Sequence, residues 1–419
     1  LISKEIQYLF DRGMFGMKLG LKNILDLMEY TGTDFSKLTV IHIAGTNGKG
    51  SVANIIAEVL RSNGYRTGLF TSPHIQRFNE RIRIDNEEIS DADMTEYISF
   101  FKEGIEKFNC TFFEANTAIA VKYFIDKKTD IAVIETGLGG RLDSTNILNP
   151  LVSVITGIDL DHQKQLGNSI VEIAREKAGI IKSGVPVVVN TDKRSVRRLF
   201  SRAAEKKGSQ IIFTDKKKFG FRYEDTGLTM DFHFNGVPLH SKVDLKGRYQ
   251  KENLRTAVTA LKVISRKIKL DPQKISSALS TVSVKGRMET VSQEPFVMID
   301  AAHNMQGLRA LKKELENFSR GRIHLIFGTV RDKDHEKIIR MVSGFDARKY
   351  FTQADNRRAL DIETVKNIKN LKIDIDAGFF KDPAEAYSEA VKNYRAGDMI
   401  VITGSHYLIG DMLDKIKLK

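Results

Sequence analysis

Residues Ile41 to Leu60, IHIAGTNGKGSVANIIAEVL, set a lysine and a serine in a glycine-rich turn. The turn lies between an apolar run that reads as a strand and an amphipathic run that reads as a helix. That order suits a phosphate group. Backbone N–H groups of the turn and the free donors of a helix N-terminus point at one spot, and glycine lets the anion approach them closely. Lys49 adds a mobile positive charge, and Ser51 adds a hydroxyl for Mg²⁺ or phosphate. The spacing departs from the ordinary P-loop: Ile43 stands where its first glycine belongs, and Gly50 separates the lysine from the serine. A solvated lysine in a plain turn would leave the same GK pair, but strand, turn and helix in this order favour a phosphate site.

Two further segments carry reactive side chains. In ETGLGGRLDSTN, Glu135 ends an apolar run ahead of glycines, an arginine and an aspartate. A strand-end carboxylate beside a phosphate loop can hold Mg²⁺ directly or through water, although the same carboxylate could simply cap a turn. In TSPHIQRFNERIRIDNEEIS, Arg77, Arg81 and Arg83 surround Glu80; taken alone, the segment is too polar for core and reads as a surface loop.

Elements must hold these groups together. The runs TVIHIAG, TGLFTS, IAVIETG, VSVITGID, PVVVNT and IIFTD alternate with helical patterns, which predicts a doubly wound, mostly parallel sheet. Sites in such sheets form at the carboxyl ends of strands. The polar stretches Gly45 to Ser51, Thr71 to His74, Glu135 to Asn146 and Asp159 to His162 all fall there, so four strand ends should meet in one crevice. From about Phe219 to Val243, alternating apolar residues with turn signals predict a small antiparallel ribbon appended to the sheet. SVKGRME breaks the pattern, and FVMIDAAHN, IHLIFGTV, KYFTQA and DMIVITGSH then repeat the βα logic. The expected fold is α/β: a P-loop domain over residues 1–284, a linker over 285–289, and a second, smaller Rossmann-like α/β domain over 290–419, with the active site between the domains.

Composition bounds the class of protein. The 419 residues are 41% hydrophobic and 28% charged, and no apolar run approaches the roughly 20 residues that cross a bilayer. The first residues, LISKEIQYLFDRG, read as an amphipathic helix rather than a signal peptide, so a cytoplasmic location and no membrane association are expected. A single cysteine, Cys110, excludes an internal disulfide and a thiolate metal cluster. The net charge of +13 fits a polyanionic ligand or nucleic acid, but the basic residues are dispersed and no nucleic-acid motif is present.

Together the segments resemble the folylpolyglutamate synthase and dihydrofolate synthase family of the ATP-dependent Mur ligase superfamily. The resemblance rests on GTNGKGS at Gly45, TSPHIQRFNERI at Thr71, TFFE at Thr111, ETGLGGRLDSTN at Glu135 and DHQKQLG at Asp161. It continues through EIAREKAGIIK at Glu172, GRYQKEN at Gly247, KGRME at Lys285, DAAHN at Asp300 and ITGSHYLIG at Ile402, nearly the whole chain. It implies an amide bond formed between a folate-type carboxylate and the amino group of L-glutamate. ATP is cleaved to ADP and phosphate through an acyl phosphate.

By motif position, the resemblance implies that Gly48, Lys49, Gly50 and Ser51 bind the ATP phosphates, with Asn253, Arg287 and Asp300 completing the nucleotide site. Arg287, at the domain boundary, is expected to reach ATP only when the cleft shuts. Ser72, Glu135, His162 and Lys177 stand at metal-ligand positions for two Mg²⁺ ions, with Lys177 carbamylated (N6-carboxylysine), and Lys49, His162 and Lys177 as the catalytic set. Folate-binding positions are Gly20, Leu21, Lys22, Thr111, Phe112, Phe113, Glu114, Leu142, Asp143 and Ser144. Arg81, His303 and Ser405 are the positions for glutamate.

Three residues depart from the pattern: Ala301 stands where glycine is usual, His406 where leucine or phenylalanine is common, and Asp159 lies next to the metal position, where it is expected to alter metal affinity. Cofactors are ATP and Mg²⁺; partners are folate or dihydropteroate and L-glutamate, without nucleic acid, in a monomer. The rivals are a peptidoglycan-precursor Mur-type ligase, against which TSPHIQRFNERI and TFFE argue, and a non-catalytic nucleotide- or nucleic-acid-binding protein. The residues leave open whether dihydropteroate, longer folates or both are accepted.

Overall fold

A computed structural model describes residues 4–12, 20–224, 227–317, 321–331, 333–368 and 378–416. The chain divides into two compact units. One comprises Leu1–His74, Phe78–Asp244 and Gln250–Ser283; the other comprises Ile75–Arg77, Leu245–Tyr249 and Val284–Lys419.

The first unit is built on eight strands: β1 Val40–Ala44, β2 Thr67–Phe70, β3 Ile82–Ile84, β4 Glu87–Glu88, β5 Ile131–Glu135, β6 Val152–Ile155, β7 Val187–Val189 and β8 Ile211–Phe213. Their order is β4-β3-β2-β5-β1-β6-β7-β8. The six strands from β2 to β8 in that order pair in parallel. Every residue of β1 and β5 is buried, as expected of parallel strands covered on both faces. Alternation along β5 then does chemical work. Ala132 and Ile134 join the core shared with helices Asp91–Lys107 and Phe112–Asp126. Glu135, of opposite parity, faces the first turn of helix Lys49–Ser62, where a Cβ added to Gly50 would lie 3.5 Å from its Oε2.

From Phe78 onward the arginine-rich segment after β2 is not a surface loop, whereas Gln76 and Arg77 before it are exposed. Phe78, Asn79, Glu80 and Arg81 are all buried, and β3 and β4 add an antiparallel edge to the sheet. The polar side chains are buried with partners: Asn79 Nδ2 donates to the Ile89 carbonyl at 2.7 Å and to Asp91 at 2.8 Å, and Arg81 Nε donates to His74 Nδ1 at 2.8 Å. Polarity alone therefore misassigns it, because hydrogen-bonded polar groups can be buried.

The ribbon has three strands, β9 Phe219–Glu224, β10 Gly227–Phe234 and β11 Val237–Val243, in the order β11-β10-β9. Asn235 and Gly236, at φ 50° and 87°, make the tight turn that joins the last two. Its apolar face, with Leu228, Met230, Phe232, Phe234, Leu239 and Val243 buried, packs on helix Pro272–Thr281, so it is an integral layer rather than an appendage.

The second unit carries β12 Glu289–Gln293, β13 Phe296–Asp300, β14 Ile323–Phe327, β15 Arg348–Phe351, β16 Gly378–Phe379 and β17 Met399–Thr403. They run in the order β12-β13-β17-β14-β15-β16, parallel except for β12. Insertion of the last strand between β13 and β14 creates the reversal of winding that marks a doubly wound sheet. No helix among the described residues is long and apolar enough to cross a membrane.

His42, fully buried in β1, offers a test of the central sheet. Its Nε2 lies 2.8 Å from Thr145 Oγ1, its Nδ1 has no partner among the described residues, and burial, reinforced by Lys182, pulls its pKa down to about 3. Above pH 6.5 the imidazole is neutral folded or unfolded and contributes nothing to pH dependence. Below 6.5 the unfolded state takes up a proton that the folded state refuses until about pH 3, so stability falls with pH. Replacing His42 by Asn should remove about 2 to 3 kcal/mol of the stability lost between pH 6.5 and 4.5, read by urea unfolding at both pH values. His74, also depressed by burial, titrates in both proteins and cancels. Parallel pH profiles for wild type and variant would refute the assignment.

Candidate functional site

The turn between β1 and helix Lys49–Ser62 is fastened to the end of β6. Thr46 N donates to the Gly157 carbonyl at 2.8 Å, and Thr156 Oγ1 donates to the Asn47 carbonyl at 2.8 Å. A Cβ on Gly45 would fall 1.7 Å from Thr156 Oγ1, so only glycine lets the two strand ends approach. Gly48 caps the helix at φ 88°, and a Cβ there would fall 2.2 Å from Asn253 Oδ1. Asn253, 205 positions along the chain, is thus brought against the glycine turn by helix Gln250–Ile264, its Nδ2 held by Gln250 Oε1 at 2.7 Å.

Charges collect around this turn. Lys49 Nζ stands 3.7 Å from Glu135 Oε1, and Glu135 Oε2 accepts from Ser72 N at 3.2 Å. Lys177, fully enclosed on helix Ile170–Ala178, donates to the Gly45 carbonyl at 2.7 Å. Burial first, and the charge of Lys49 second, pull its pKa down to about 7, with Asp161 and Asp143 opposing. His162 adopts φ 49° at the start of helix Gln163–Leu166, and its Nε2 lies 3.9 Å from Asp161 Oδ2. The structure therefore gathers Gly48, Lys49, Gly50, Ser51, Ser72, Glu135, Lys177 and Asn253 in one neighbourhood. His162 stands beside Asp161, whose charge acts on Lys177. No group of three or more His, Cys, Asp or Glu side chains capable of holding a metal occurs among the described residues. Ser72 meets Glu135 through its backbone N–H.

The remaining expected residues divide between the units. Thr111 and Glu114 form a reciprocal capping box on helix Phe112–Asp126, with Thr111 N to Glu114 Oε2 at 2.7 Å. Phe112 stacks on Phe10 at 5.5 Å and lies under the Arg81 guanidinium at 5.2 Å; Phe113 covers Gly137, next to Phe70. Asp143 is turned into its own loop, accepting from Leu138 N at 2.7 Å and Thr145 N at 3.1 Å, and burial raises its pKa. Ser144 Oγ pairs with Thr117 Oγ1 at 2.7 Å, and Leu142 lies in the same loop, partly exposed. Gly20 and Leu21 lead into helix Lys22–Tyr30, where Lys22 pairs with Asp26 at 2.6 Å. Arg81 belongs with His74, Phe78 and Phe112 in the first unit, whereas His303 and Ser405 belong to the second. Burial holds His74 well below the usual imidazole pKa.

In the second unit the Asp300 carboxylate is a brace. It accepts from Tyr249 Oη at 3.1 Å, Met288 N at 3.0 Å and Ala302 N at 2.9 Å; burial raises its pKa against the opposing charge of Arg287. Ser405 caps helix His406–Lys415, and His303 lies 5.4 Å from His406, centroid to centroid. Ala301 is absent from the residues with positive φ, so it needs no glycine. Asp159 accepts from Leu160 N at 2.9 Å, and its carboxylate lies 3.8 Å from Lys193. Thr156 and Tyr249 were not singled out by their spacing; Thr156, ending VSVIT, shares the strand-end position that marked the others.

Two family models match the chain: Mur ligase middle domain over residues 43–261, and Mur ligase, glutamate ligase domain, over 286–406. A folylpolyglutamate synthase of Lacticaseibacillus casei is 36% identical over 92% of each chain. A dihydrofolate synthase/folylpolyglutamate synthase of Bacillus subtilis is 31% identical over 98% of each. Among solved structures, Mycobacterium tuberculosis folylpolyglutamate synthase complexed with ADP and AMPPCP superposes at TM-score 0.89, with 28% identity, over 98% of this chain and 99% of that one. Escherichia coli FolC in complex with DHPP and ADP superposes at 0.87, with 25% identity, over 99% and 98%.

Gly48 supplies the sharpest test of the turn. Replacing it by Ala forces a left-handed φ on an L-residue and drives a methyl into Asn253, so ADP affinity measured by titration calorimetry should fall at least about tenfold. Unchanged affinity would mean that nucleotide binds elsewhere.

Proposed function

The chain belongs to the folylpolyglutamate synthase/dihydrofolate synthase family of Mur ligases, enzymes that are ATP-dependent ligases, and from that premise we propose that it joins L-glutamate to a folate-type carboxylate. The observation that carries this reading is the glycine turn held by Asn253 and facing Lys49 and Glu135.

A carboxylate is a poor electrophile and needs activation. Its oxygen attacks the γ-phosphorus of ATP and ADP leaves, giving an acyl phosphate; the glutamate amine then attacks the acyl carbon, and phosphate departs as the amide forms. Phosphoryl transfer asks for positioning and for cations where charge develops. Lys49 supplies such a charge, and the amides of Gly50 and Ser51 supply fixed dipoles. Glu135 keeps the Lys49 ammonium over the turn.

The Glu135 carboxylate fits Mg²⁺, which takes few protein ligands and completes its shell with water and phosphate, and the Ser72 hydroxyl would be the second protein ligand. When bound, it would neutralise phosphate charge. We assign His162 and Lys177 to a second ion, with Lys177 carbamylated: its neutral amine adds to CO₂, releasing a proton and leaving an anionic carbamate. Its enclosure beside Lys49 supports this. Intact mass should exceed the sequence mass by one CO₂ in bicarbonate buffer, and Lys177→Ala should lose that increment; an adduct retained in the variant would place it elsewhere.

Residues 1–284 would hold nucleotide and pterin, with the capping-box helix on the pterin side, and residues 290–419 would hold glutamate through His303 and Ser405, with Arg81 reading its carboxylate. Arg287 and Asp300 would complete the nucleotide site, and a cytoplasmic monomer suits the reaction. The positive charge of +13 would steer folates bearing several carboxylates.

Glutamate-dependent phosphate release from MgATP, with dihydropteroate and with tetrahydrofolate in parallel, tests the reading. Release with both acceptors assigns both activities, and release with tetrahydrofolate alone assigns chain extension. Release with neither, while ADP still binds, would turn attention to the peptidoglycan-type ligases. Lys49→Met should lower kcat by about 10²-fold or more with either acceptor.

A further inference from the structure

Arg83 sits in the middle of β3, between Ile82 and Ile84, which are buried on the opposite face. It is paired in register with Leu69 of β2 on one side and Glu88 of β4 on the other. Strand alternation therefore turns the arginine toward helix Lys49–Ser62. There its Nη2 donates to Asn54 Oδ1 at 2.7 Å, and Asn54 Nδ2 donates to the Gly50 carbonyl at 2.7 Å.

The direction of this chain is dictated by the chemistry of its ends. A guanidinium only donates, so it must meet the amide oxygen of Asn54, and the Asn54 NH₂ must then face Gly50. The Gly50 carbonyl belongs to the peptide group whose N–H is that of Ser51. Carbonyl and N–H of a trans peptide point in opposite directions. The helix's own backbone bonding already turns that oxygen toward the second turn, and the Asn54 bond adds a second hold on it, which keeps the Ser51 N–H pointing out of the helix N-terminus, where a phosphate would lie.

A packing role does not account for an arginine here. Its Nε is buried without a partner among the described residues, and burial lowers its pKa while Glu88 and Glu80 oppose. An apolar side chain of similar length would fill the space without those costs. We propose that Arg83 is a positioning residue for nucleotide binding: acting through Asn54, it fixes the Gly50–Ser51 peptide group and aims the Ser51 amide at the phosphates. The proposal rests on the nucleotide reading of the turn and adds two residues outside it.

The test is ADP titration calorimetry on Arg83→Met, Asn54→Ala and the double variant, with KM for ATP and for glutamate measured in parallel. Each single change should weaken ADP about 5- to 30-fold and raise the KM for ATP while leaving the KM for glutamate unchanged. The double variant should be no weaker than the weaker single, because both break one relay. Arg83→Lys, which can still donate to Asn54, should recover part of the loss. Asn54→Asp keeps the acceptor for Arg83 but cannot donate to Gly50. It should therefore lose ADP affinity with no fall in melting temperature, and it serves if Arg83→Met does not fold. Wild-type affinity in Arg83→Met or in Asn54→Asp, or losses that multiply in the double variant, would overturn the proposal. Absence of ADP binding by the wild type would instead overturn the nucleotide reading on which it rests.

Discussion

Peptide groups that offer their N–H to an anion must put their carbonyls somewhere else, and the turn at residues 45–51 meets this constraint with partners from all over the first unit. The Gly45 carbonyl accepts from Lys177, that of Asn47 from Thr156, that of Gly48 from the amide of Val52, and that of Gly50 from Asn54. Each donor comes from a different element or a later turn of the helix. A turn satisfied this way is preorganised: its amides are held in place before any ligand arrives, which is where fixed dipoles outperform water.

The same constraint explains why the sheet is arranged as it is. β2, β5, β1 and β6 lie side by side, so the residues that follow them can reach one turn without long loops. Parity along β5 directs Glu135 toward the turn and Ile134 into the opposite core. Lys49 and Lys177 would repel each other if both stayed charged in this enclosure. Burial lowers the pKa of Lys177, while Lys49 keeps its carboxylate partner Glu135.

Several residues singled out for ligand contact also carry structure. Thr111 and Glu114 cap a helix, Asp143 closes its own loop and Asp300 braces the segment around Met288. Side chains in such positions are rigid because their hydrogen bonds are already made, and rigidity is what a site needs from its support.

Much was legible in the order of residues. Apolar runs of strand length with glycine and polar residues at their ends announced the parallel sheet and the second α/β unit, since a strand buried on both faces must be apolar throughout. GTNGKGS and the motifs after it pointed to a phosphate turn and a family of ligases. Other features depended on distance in space. The segment around Arg81 looked like a loop because its compensating partners, His74, Ile89 and Asp91, are visible only once the chain is folded. The charge of Asp159 is answered by Lys193, 34 positions away, and the approach of Asn253 to Gly48 spans 205. The sequence by itself determined which groups this protein has and the local elements that carry them. Tertiary structure alone decided which carbonyls are tied down and which cations are neutralised, because hydrogen bonds and desolvation act between neighbours in space.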